Sequence, residues 1–269
     1  NIYALYCYNG MDGSKLYLSY FWISGTGLET ADYYFVQLYY NFCIFMYLGN
    51  QAEGSAGGRR MNEIEIRDLC KSFRKEKVLK DINLSVEKGT ICGIVGRNGS
   101  GKTVLFKCIC GFLRPDSGEI YVRGKLVGKE TEVPENMGII IEQPGFLRHY
   151  NGYRNLEFLA GLNGKPSRQK IEEVLELVGL LEQKNKKVGK YSMGMRQRLG
   201  IAQAIMEGQD ILILDEPMNG LDNQGVVEMR KLLLDLKQKG TTILLASHNQ
   251  EDIQQLCDAV HEMDVGVLI

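Results

Sequence analysis

Residues 96 to 103 have the types and spacing of a phosphate-binding loop. They read Gly96-Arg97-Asn98-Gly99-Ser100-Gly101-Lys102-Thr103, which fits the pattern Gly-x4-Gly-Lys-Ser/Thr. The glycines let backbone N–H groups surround phosphate oxygens without Cβ clashes, and the helix expected next offers its positive N-terminus to an anion. Lys102 would reach the β and γ phosphates, and the Thr103 hydroxyl would bind Mg²⁺. The segment therefore predicts a site for a nucleoside triphosphate such as ATP.

Two neighbouring carboxylates form the second group with chemical potential. Asp215 and Glu216 directly follow the apolar run Ile211 to Leu214. At the carboxyl end of a buried strand beside the phosphate loop, Asp215 would hold Mg²⁺ and Glu216 would deprotonate an attacking water. An acidic strand-to-loop junction without chemistry is the alternative, and the phosphate loop upstream argues against it.

The pattern between these motifs predicts the elements that position them. Short apolar runs typical of strands in a parallel sheet lie at 91–95, 138–141, 211–214 and 242–245. Alternating residues at 63–66 and 82–86 indicate strands before the loop, and helical periodicity runs through 171–178 and 195–206. We therefore predict an α/β fold: a P-loop NTPase core with a parallel sheet, an N-terminal antiparallel β subdomain and an inserted α-helical subdomain.

Bulk composition excludes several function classes. The 269 residues carry 32 basic and 33 acidic side chains, so the net charge of −1 gives no electrostatic reason to expect nucleic acid as a partner. Seven scattered cysteines show no disulfide framework and indicate small buried side chains in a reducing compartment. Cys108 and Cys110 could chelate a metal, but no second pair lies near them in the sequence.

Residues 1 to 60 differ from the rest of the chain. The first 50 residues hold 15 of the 24 aromatic residues, and the apolar run 33–48 is shorter than the roughly 20 residues of a membrane span. Met61 is followed by an alternating strand, so we predict that 1–60 is a non-native or upstream-translated extension, disordered or poorly packed. A membrane anchor is the alternative. The functional domain is expected at 61–269, with its core at about 61–146 and 209–269 and its helical subdomain at about 147–208.

Taken in order, the motifs of residues 61–269 resemble the ATP-binding cassette family. The resemblance rests on the phosphate loop, Gln143, the segment Tyr191 to Arg198, Asp215-Glu216-Pro217, Gly220-Leu221-Asp222 and Ser247-His248. It implies an ATPase domain that dimerises head to tail, with each ATP held between the phosphate loop of one subunit and the signature segment of the other. Tyr191, Met193 and Met195 depart from the commonest signature and resemble the branch of bacitracin, lantibiotic-immunity and sodium-extrusion exporters.

The resemblance also implies a role for individual residues. Phe73 would stack on adenine, Gln143 would sense Mg²⁺ and the attacking water, His248 would contact the γ-phosphate, Asp222 would couple the two sites, and Ser192 and Gly194 would face the partner's γ-phosphate. Val104 stands where many relatives have a second hydroxyl, which backbone contacts could replace. Without the resemblance, Phe73 would indicate core packing, His248 a structural histidine and Gln143 a polar loop residue.

We therefore expect the ATPase subunit of an export system that acts at the cytoplasmic face of the membrane. Its partners would be a second ATP-binding domain, identical or different, and a separate transmembrane permease subunit. The alternatives are a soluble cassette protein that acts on ribosomes or DNA, and a regulatory module that has lost catalysis. Retention of Lys102, Asp215, Glu216 and His248 argues against the last of these.

Overall fold

The computed structural model describes residues 5–8, 16–19, 62–74, 76–142, 144–162 and 167–269. The chain divides into two compact units, Asn1–Gln37 and Leu38–Ile269. In the first unit, β1 (Leu5–Tyr8) pairs antiparallel with β2 (Leu16–Ser19). The proposed start at Met61 and the alternative anchor at 33–48 lie outside the described residues, so the expectation for 1–60 stays a prediction.

The described part of the second unit contains an antiparallel sheet of four strands, in the order β4-β3-β6-β7. These strands are β3 (Asn62–Phe73), β4 (Glu76–Glu87), β6 (Ser117–Val122) and β7 (Lys125–Leu126). Alternate side chains of β4 are buried, including Ile82, Leu84 and Val86, as expected for a sheet with one face on the core. This is the N-terminal β subdomain that the alternating pattern predicts.

The central sheet has six strands in the order β12-β11-β5-β10-β9-β8. Its strands are β5 (Ile91–Val95), β8 (Met137–Ile140), β9 (Ile211–Asp215), β10 (Thr242–Ala246), β11 (Ala259–Asp264) and β12 (Val267–Leu268). All neighbours pair parallel except β12, which is antiparallel to β11. The carboxyl ends of four parallel strands therefore meet at one edge, where the phosphate loop, Glu142, Glu216 and His248 follow them.

Six α-helices and two short 3-10 helices, Leu181–Gln183 and Val188–Lys190, accompany the sheets in the described residues of this unit. The α-helices are named in chain order. They are α1 (Lys102–Ile109), α2 (Gly152–Ala160), α3 (Arg168–Leu177), α4 (Met193–Ile205), α5 (Asn223–Gln238) and α6 (Gln250–Leu256). Buried Leu156, Leu175 and Leu199 place α2, α3 and α4 in one apolar cluster, which extends to Leu214 and Leu245 of the central sheet. These three helices form the predicted helical insertion. None of the helices in the described ranges combines the length and apolarity of a membrane span.

Helix α4 lies close against β8, and a glycine makes this approach possible. A Cβ at Gly138 would lie 1.9 Å from the carbonyl oxygen of Ala204, so only glycine fits between strand and helix. Helix α1 contributes Phe106 and Cys108 to the core beneath the antiparallel sheet. Burial raises the pKa of the Cys108 thiol to about 12, which makes it a small apolar side chain in practice.

Candidate nucleotide site

A cavity of about 470 Å³ lies at the carboxyl edge of the central sheet. Its walls come from the phosphate loop, the start of α1, the ends of β8 and β9, and the first residues of α4. The lining residues are Val78, Asn98, Gly99, Gly101, Lys102, Thr103, Val104, Glu142, Met193, Gln197, Asp215, Glu216 and Asn219. The structure thus brings most of the predicted phosphate loop together with both predicted carboxylates.

The phosphate loop owes its shape to glycines with positive φ. Gly96 has φ +155°, and a Cβ there would lie 2.2 Å from the carbonyl oxygen of Met263 on β11. Gly99 has φ +83°, lines the cavity, and would place a Cβ where no atom lies within 4 Å. One glycine is therefore required by packing against the sheet, whereas the other leaves room for a ligand.

Lys102 is buried and held by the loop that it follows. Its ammonium group donates to the carbonyl oxygens of Gly96 at 2.7 Å and Arg97 at 3.1 Å. The carbonyl oxygens balance part of the ammonium charge and keep the side chain along the loop. The Lys102 ammonium group therefore lies where it would attract a phosphate bound in the loop.

Thr103 and Asp215 form the pair that the sequence assigns to Mg²⁺. Thr103 Oγ1 donates to Asp215 Oδ2 over 2.6 Å. Burial raises the pKa of Asp215, and Glu216 beside it acts in the same direction, while the Thr103 hydroxyl opposes the shift. Two adjacent oxygen donors, one of them a carboxylate whose charge burial disfavours, fit a divalent cation of the Mg²⁺ type.

Glu216 and His248 are joined at the end of the sheet. His248 Nδ1 lies 2.8 Å from Glu216 Oε2, and the Glu216 N–H donates to the Ala246 carbonyl over 2.9 Å. Glu216 has φ +51°, a region that a residue with a side chain occupies only when its surroundings enforce it. Among the described residues, Glu216 Oε1 and Ser100 Oγ are buried side-chain atoms without a hydrogen-bond partner. Glu216 is thus held through one oxygen while the other keeps its acceptor capacity.

The signature segment lies next to the cavity and contributes Met193 to its wall. Ser192 is the N-cap of α4 and accepts from the Met195 N–H over 3.2 Å. A Cβ at Gly194 would lie 2.6 Å from the carbonyl oxygen of Gly220. Asp222 is the N-cap of α5 and accepts from Gly225 N–H. Ser192, Gly194 and Asp222 are not among the residues that line this cavity. They lie where the two adjoining helices α4 and α5 begin.

Two other predicted residues, Phe73 and His248, are also outside the cavity wall. Phe73 lies at the end of β3, 46% exposed, with the Lys71 ammonium 5.7 Å from its ring centroid. Val78 on β4 lines the cavity instead. Gln143 lies outside the described residues, so its role stays a prediction.

The structure adds cavity residues that the motifs did not single out. Glu142 precedes Gln143, has φ +62° and lies 2.6 Å from the Lys107 ammonium. Gln197 lies on α4, and its side-chain amide donates to the Glu216 carbonyl over 3.4 Å. Asn219 is part of the same wall. A carboxylate directly after the apolar run 138–141 was the available sequence signal for Glu142, because strand ends collect ligands in such sheets.

A phosphate loop between a buried strand and a helix, with a carboxylate pair at the end of a neighbouring strand, defines a P-loop nucleoside triphosphatase. Comparison with protein families matches residues 79–219 to the ABC transporter family. The uncharacterized ABC transporter ATP-binding protein YybJ of Bacillus subtilis (strain 168) is 42% identical over 205 residues, which cover 76% of this chain and 94% of that protein. The bacitracin transport ATP-binding protein BcrA of Enterococcus faecalis is also 42% identical, over 77% of this chain and 68% of that protein.

Solved structures agree with these relatives. A nucleotide-free ATP-binding cassette from an ABC transporter superposes with a TM-score of 0.68 at 25% identity, over 78% of this chain and 90% of that chain. A dimeric bacterial ABC transporter cassette, MJ0796, has a TM-score of 0.70 at 21% identity, over 76% and 96% respectively, and shows the shared fold. The chain belongs to the ABC transporter family. It is an ATP-binding subunit of the transporter class and hydrolyses ATP, as the resemblance implied.

Proposed function

We propose that this chain drives an ABC-type exporter, with Glu216 as general base and His248 as its partner at the γ-phosphate. The contact between His248 and Glu216 beside the phosphate loop is the observation that carries this assignment. The relatives support transport over the alternative of action on ribosomes or DNA, because they are transport ATP-binding proteins.

Glu216, His248 and Lys102 have distinct tasks in this proposal. Glu216 Oε1 would accept the proton of the attacking water, since Oε2 is occupied by His248. His248 Nδ1–H would donate to the carboxylate and keep it oriented, so its second ring nitrogen faces away from Glu216. Lys102 would exchange its loop carbonyls for phosphate oxygens, and the loop N–H groups would hold the remaining charge.

Thr103 and Asp215 are the residues that would hold Mg²⁺. The bound cation would neutralise negative charge on the phosphates and orient them. Asp215 would lose the energetic disadvantage of a buried charge when a cation lies beside it. Gln143, by its place after Glu142, would add a polar side chain to this group.

The second half of each ATP site would come from another ATP-binding domain. Ser192 caps α4 and Gly194 lies in its first turn, and the positive N-terminus of a helix favours an anion. We infer a homodimer or heterodimer in which these residues face the γ-phosphate of the partner, with Phe73 on adenine and Asp222 at the contact. A separate transmembrane permease subunit would place the dimer at the cytoplasmic face of the membrane.

A single substitution tests the catalytic assignment. Glu216→Gln should leave ATP affinity within about threefold and lower turnover by about a hundredfold or more, the scale of a lost general base. Glu182→Gln, an exposed carboxylate of the helical subdomain, is the matched control and should keep full turnover. Wild-type turnover of Glu216→Gln would remove Glu216 from the chemistry.

The transport assignment has its own experiment. The tagged chain, purified from native membranes in mild detergent, should bring down a permease with several membrane spans. Recovery of ribosomes or DNA without a membrane protein would overturn the exporter proposal.

A further inference from the structure

A series of buried polar contacts runs from α5 toward the loop that carries His248. Arg230 Nε on α5 donates to Asp252 Oδ1 on α6 over 2.8 Å, and Arg230 Nη2 lies 2.6 Å from the same oxygen. The Arg230 side chain is 8% exposed and that of Asp252 is 2% exposed. Each charge has lost most of its water, so the two depend on one another.

The other carboxylate oxygen of Asp252 faces the loop after β10. Ser247 Oγ donates to Asp252 Oδ2 over 3.4 Å and accepts from the Asn249 N–H over 3.1 Å. Ser247 is itself buried. Its hydroxyl closes a short turn from Ser247 to Asn249, and the middle residue of that turn is His248.

His248 is the residue that this turn presents to Glu216. The imidazole is 59% exposed and contacts Glu216 Oε2 at 2.8 Å. Since so exposed a ring has few packing contacts to fix it, its direction depends largely on the backbone that carries it. We propose that Arg230, Asp252 and Ser247 are positioning residues that fix His248 on Glu216 for ATP hydrolysis. This inference rests on the proposed function of Glu216 as base.

The chemistry of the hydroxyl explains why a carboxylate suits this place. Ser247 has one proton, and the acceptor Asp252 draws it away from the turn, which leaves a lone pair for the Asn249 N–H. Arg230 pairs with Asp252 and orients its carboxylate. Stability alone does not call for such a pair, because apolar residues of similar volume often stabilise a core equally well or better.

We call the contacts from Arg230 through Asp252 to Ser247 the relay. Two substitutions in the full chain test whether the relay positions His248. Ser247→Ala removes the hydroxyl, and Asp252→Asn removes the charged acceptor. Each should lower kcat for ATP about five- to tenfold, the scale of one lost hydrogen bond, with KM within about twofold. Ring resonances of ¹³C-labelled histidine report the contact directly, because the chain has three histidines that single replacements assign. The His248 resonance should move toward its position in Glu216→Ala.

Glu251→Gln is the matched control. Glu251 contacts the same arginine, at 2.9 Å from Arg230 Nη1, but its side chain is 63% exposed. No hydrogen bond in the described structure joins it to Ser247. This variant should keep the kcat and the His248 resonance of the wild type.

Other outcomes separate the relay from a structural role and from the base itself. A lower melting temperature with unchanged kcat and His248 resonance would make the buried pair structural and overturn the relay. Loss of one partner of a buried ion pair can unfold a domain, so Ser247→Ala decides the question if Asp252→Asn does not fold. Wild-type turnover of Glu216→Gln would instead refute the base, and with it the purpose of the relay.

Discussion

Two glycines of the phosphate loop should respond in opposite ways to the same methyl group. In Gly96→Ala the new Cβ would lie 2.2 Å from the Met263 carbonyl oxygen, whereas real Cβ contacts essentially never fall below 3.0 Å. In Gly99→Ala the Cβ meets no atom within 4 Å, at a residue that lines the cavity. The first change acts on packing and the second on the ligand.

The expected magnitudes follow from these distances. Both positions have positive φ, which costs a non-glycine residue about 1–2 kcal/mol. Gly96→Ala adds overpacking of about 1–3 kcal/mol against β11, so its free energy of unfolding should fall by about 2–5 kcal/mol. Gly99→Ala should lose about 1–2 kcal/mol of stability. Its methyl group should displace a phosphate from at least one charge-assisted hydrogen bond and weaken ATP binding by about ten- to a hundredfold.

Urea unfolding and equilibrium ATP binding, both on the full chain, measure the two effects separately. Gly208→Ala is a suitable control, because Gly208 also has positive φ with open space around its Cβ position but lies away from the cavity. It should lose about as much stability as Gly99→Ala and bind ATP as the wild type does. Equal stability of Gly96→Ala and Gly99→Ala, or wild-type ATP affinity of Gly99→Ala, would refute the reasoning.

Three further predictions follow from the same site. Asp215→Asn should stabilise the nucleotide-free protein at pH 7, because burial raises the pKa of this carboxyl. Because the pKa is higher in the folded than in the unfolded state, where it is about 4, the carboxyl favours folding below the unfolded pKa, and this stability is lost as pH rises through the folded pKa. The excess in the free energy of unfolding of Asp215→Asn over the wild type, measured with urea, should therefore shrink toward about pH 3.5. An excess that does not change with pH would contradict this. Gly194→Ala should lower the free energy of unfolding by about 1–3 kcal/mol, because its Cβ would lie 2.6 Å from the Gly220 carbonyl oxygen; an unchanged urea midpoint would show that the two segments separate freely. Glu142→Gln breaks a half-exposed ion pair with Lys107 and should change stability by less than about 1 kcal/mol while altering the KM for ATP; an unchanged KM would place Glu142 outside the reacting groups.

The elements around the site follow closely from sequence pattern. Apolar runs at 91–95, 211–214 and 242–245 coincide with β5, β9 and β10, because strands buried on both faces tolerate few polar residues. The amphipathic stretch 171–178 lies in and just after α3, where one face must be apolar. Local sequence pattern is sufficient to predict these segments because each has a uniform environment, either burial on both faces of a strand or burial on one face of a helix.

Contacts between segments that are distant in the sequence leave no recognisable pattern in the local sequence, so they could not be predicted. Val78 and Asn219 reach the cavity from separate segments, and nothing in their local sequence distinguishes them from packing or loop residues. Gln197 lies within the segment Tyr191 to Arg198 that carries the resemblance, but no role at the cavity followed from its position there. The strand β11 was not predicted, and its Ala259–Asp264 segment is mostly exposed or half-buried, so it lacks an apolar signature. Its backbone nevertheless limits Gly96, and only the folded sheet reveals that restriction.

Helix α5 connects the two ends of the site within one subunit. Its N-cap, Asp222, follows Gly220, whose carbonyl lies against Gly194 of the signature segment. Two turns further along α5, Arg230 begins the contacts that end at Ser247, the residue before His248. A nucleotide that presses on the signature segment of this subunit would therefore act on one end of a helix whose other contacts lead to the turn that carries His248, the histidine proposed to act with Glu216. In the proposed dimer, the signature segment of each subunit completes the ATP site of the partner. Helix α5 would then link that site to the subunit's own ATP site, where His248 lies.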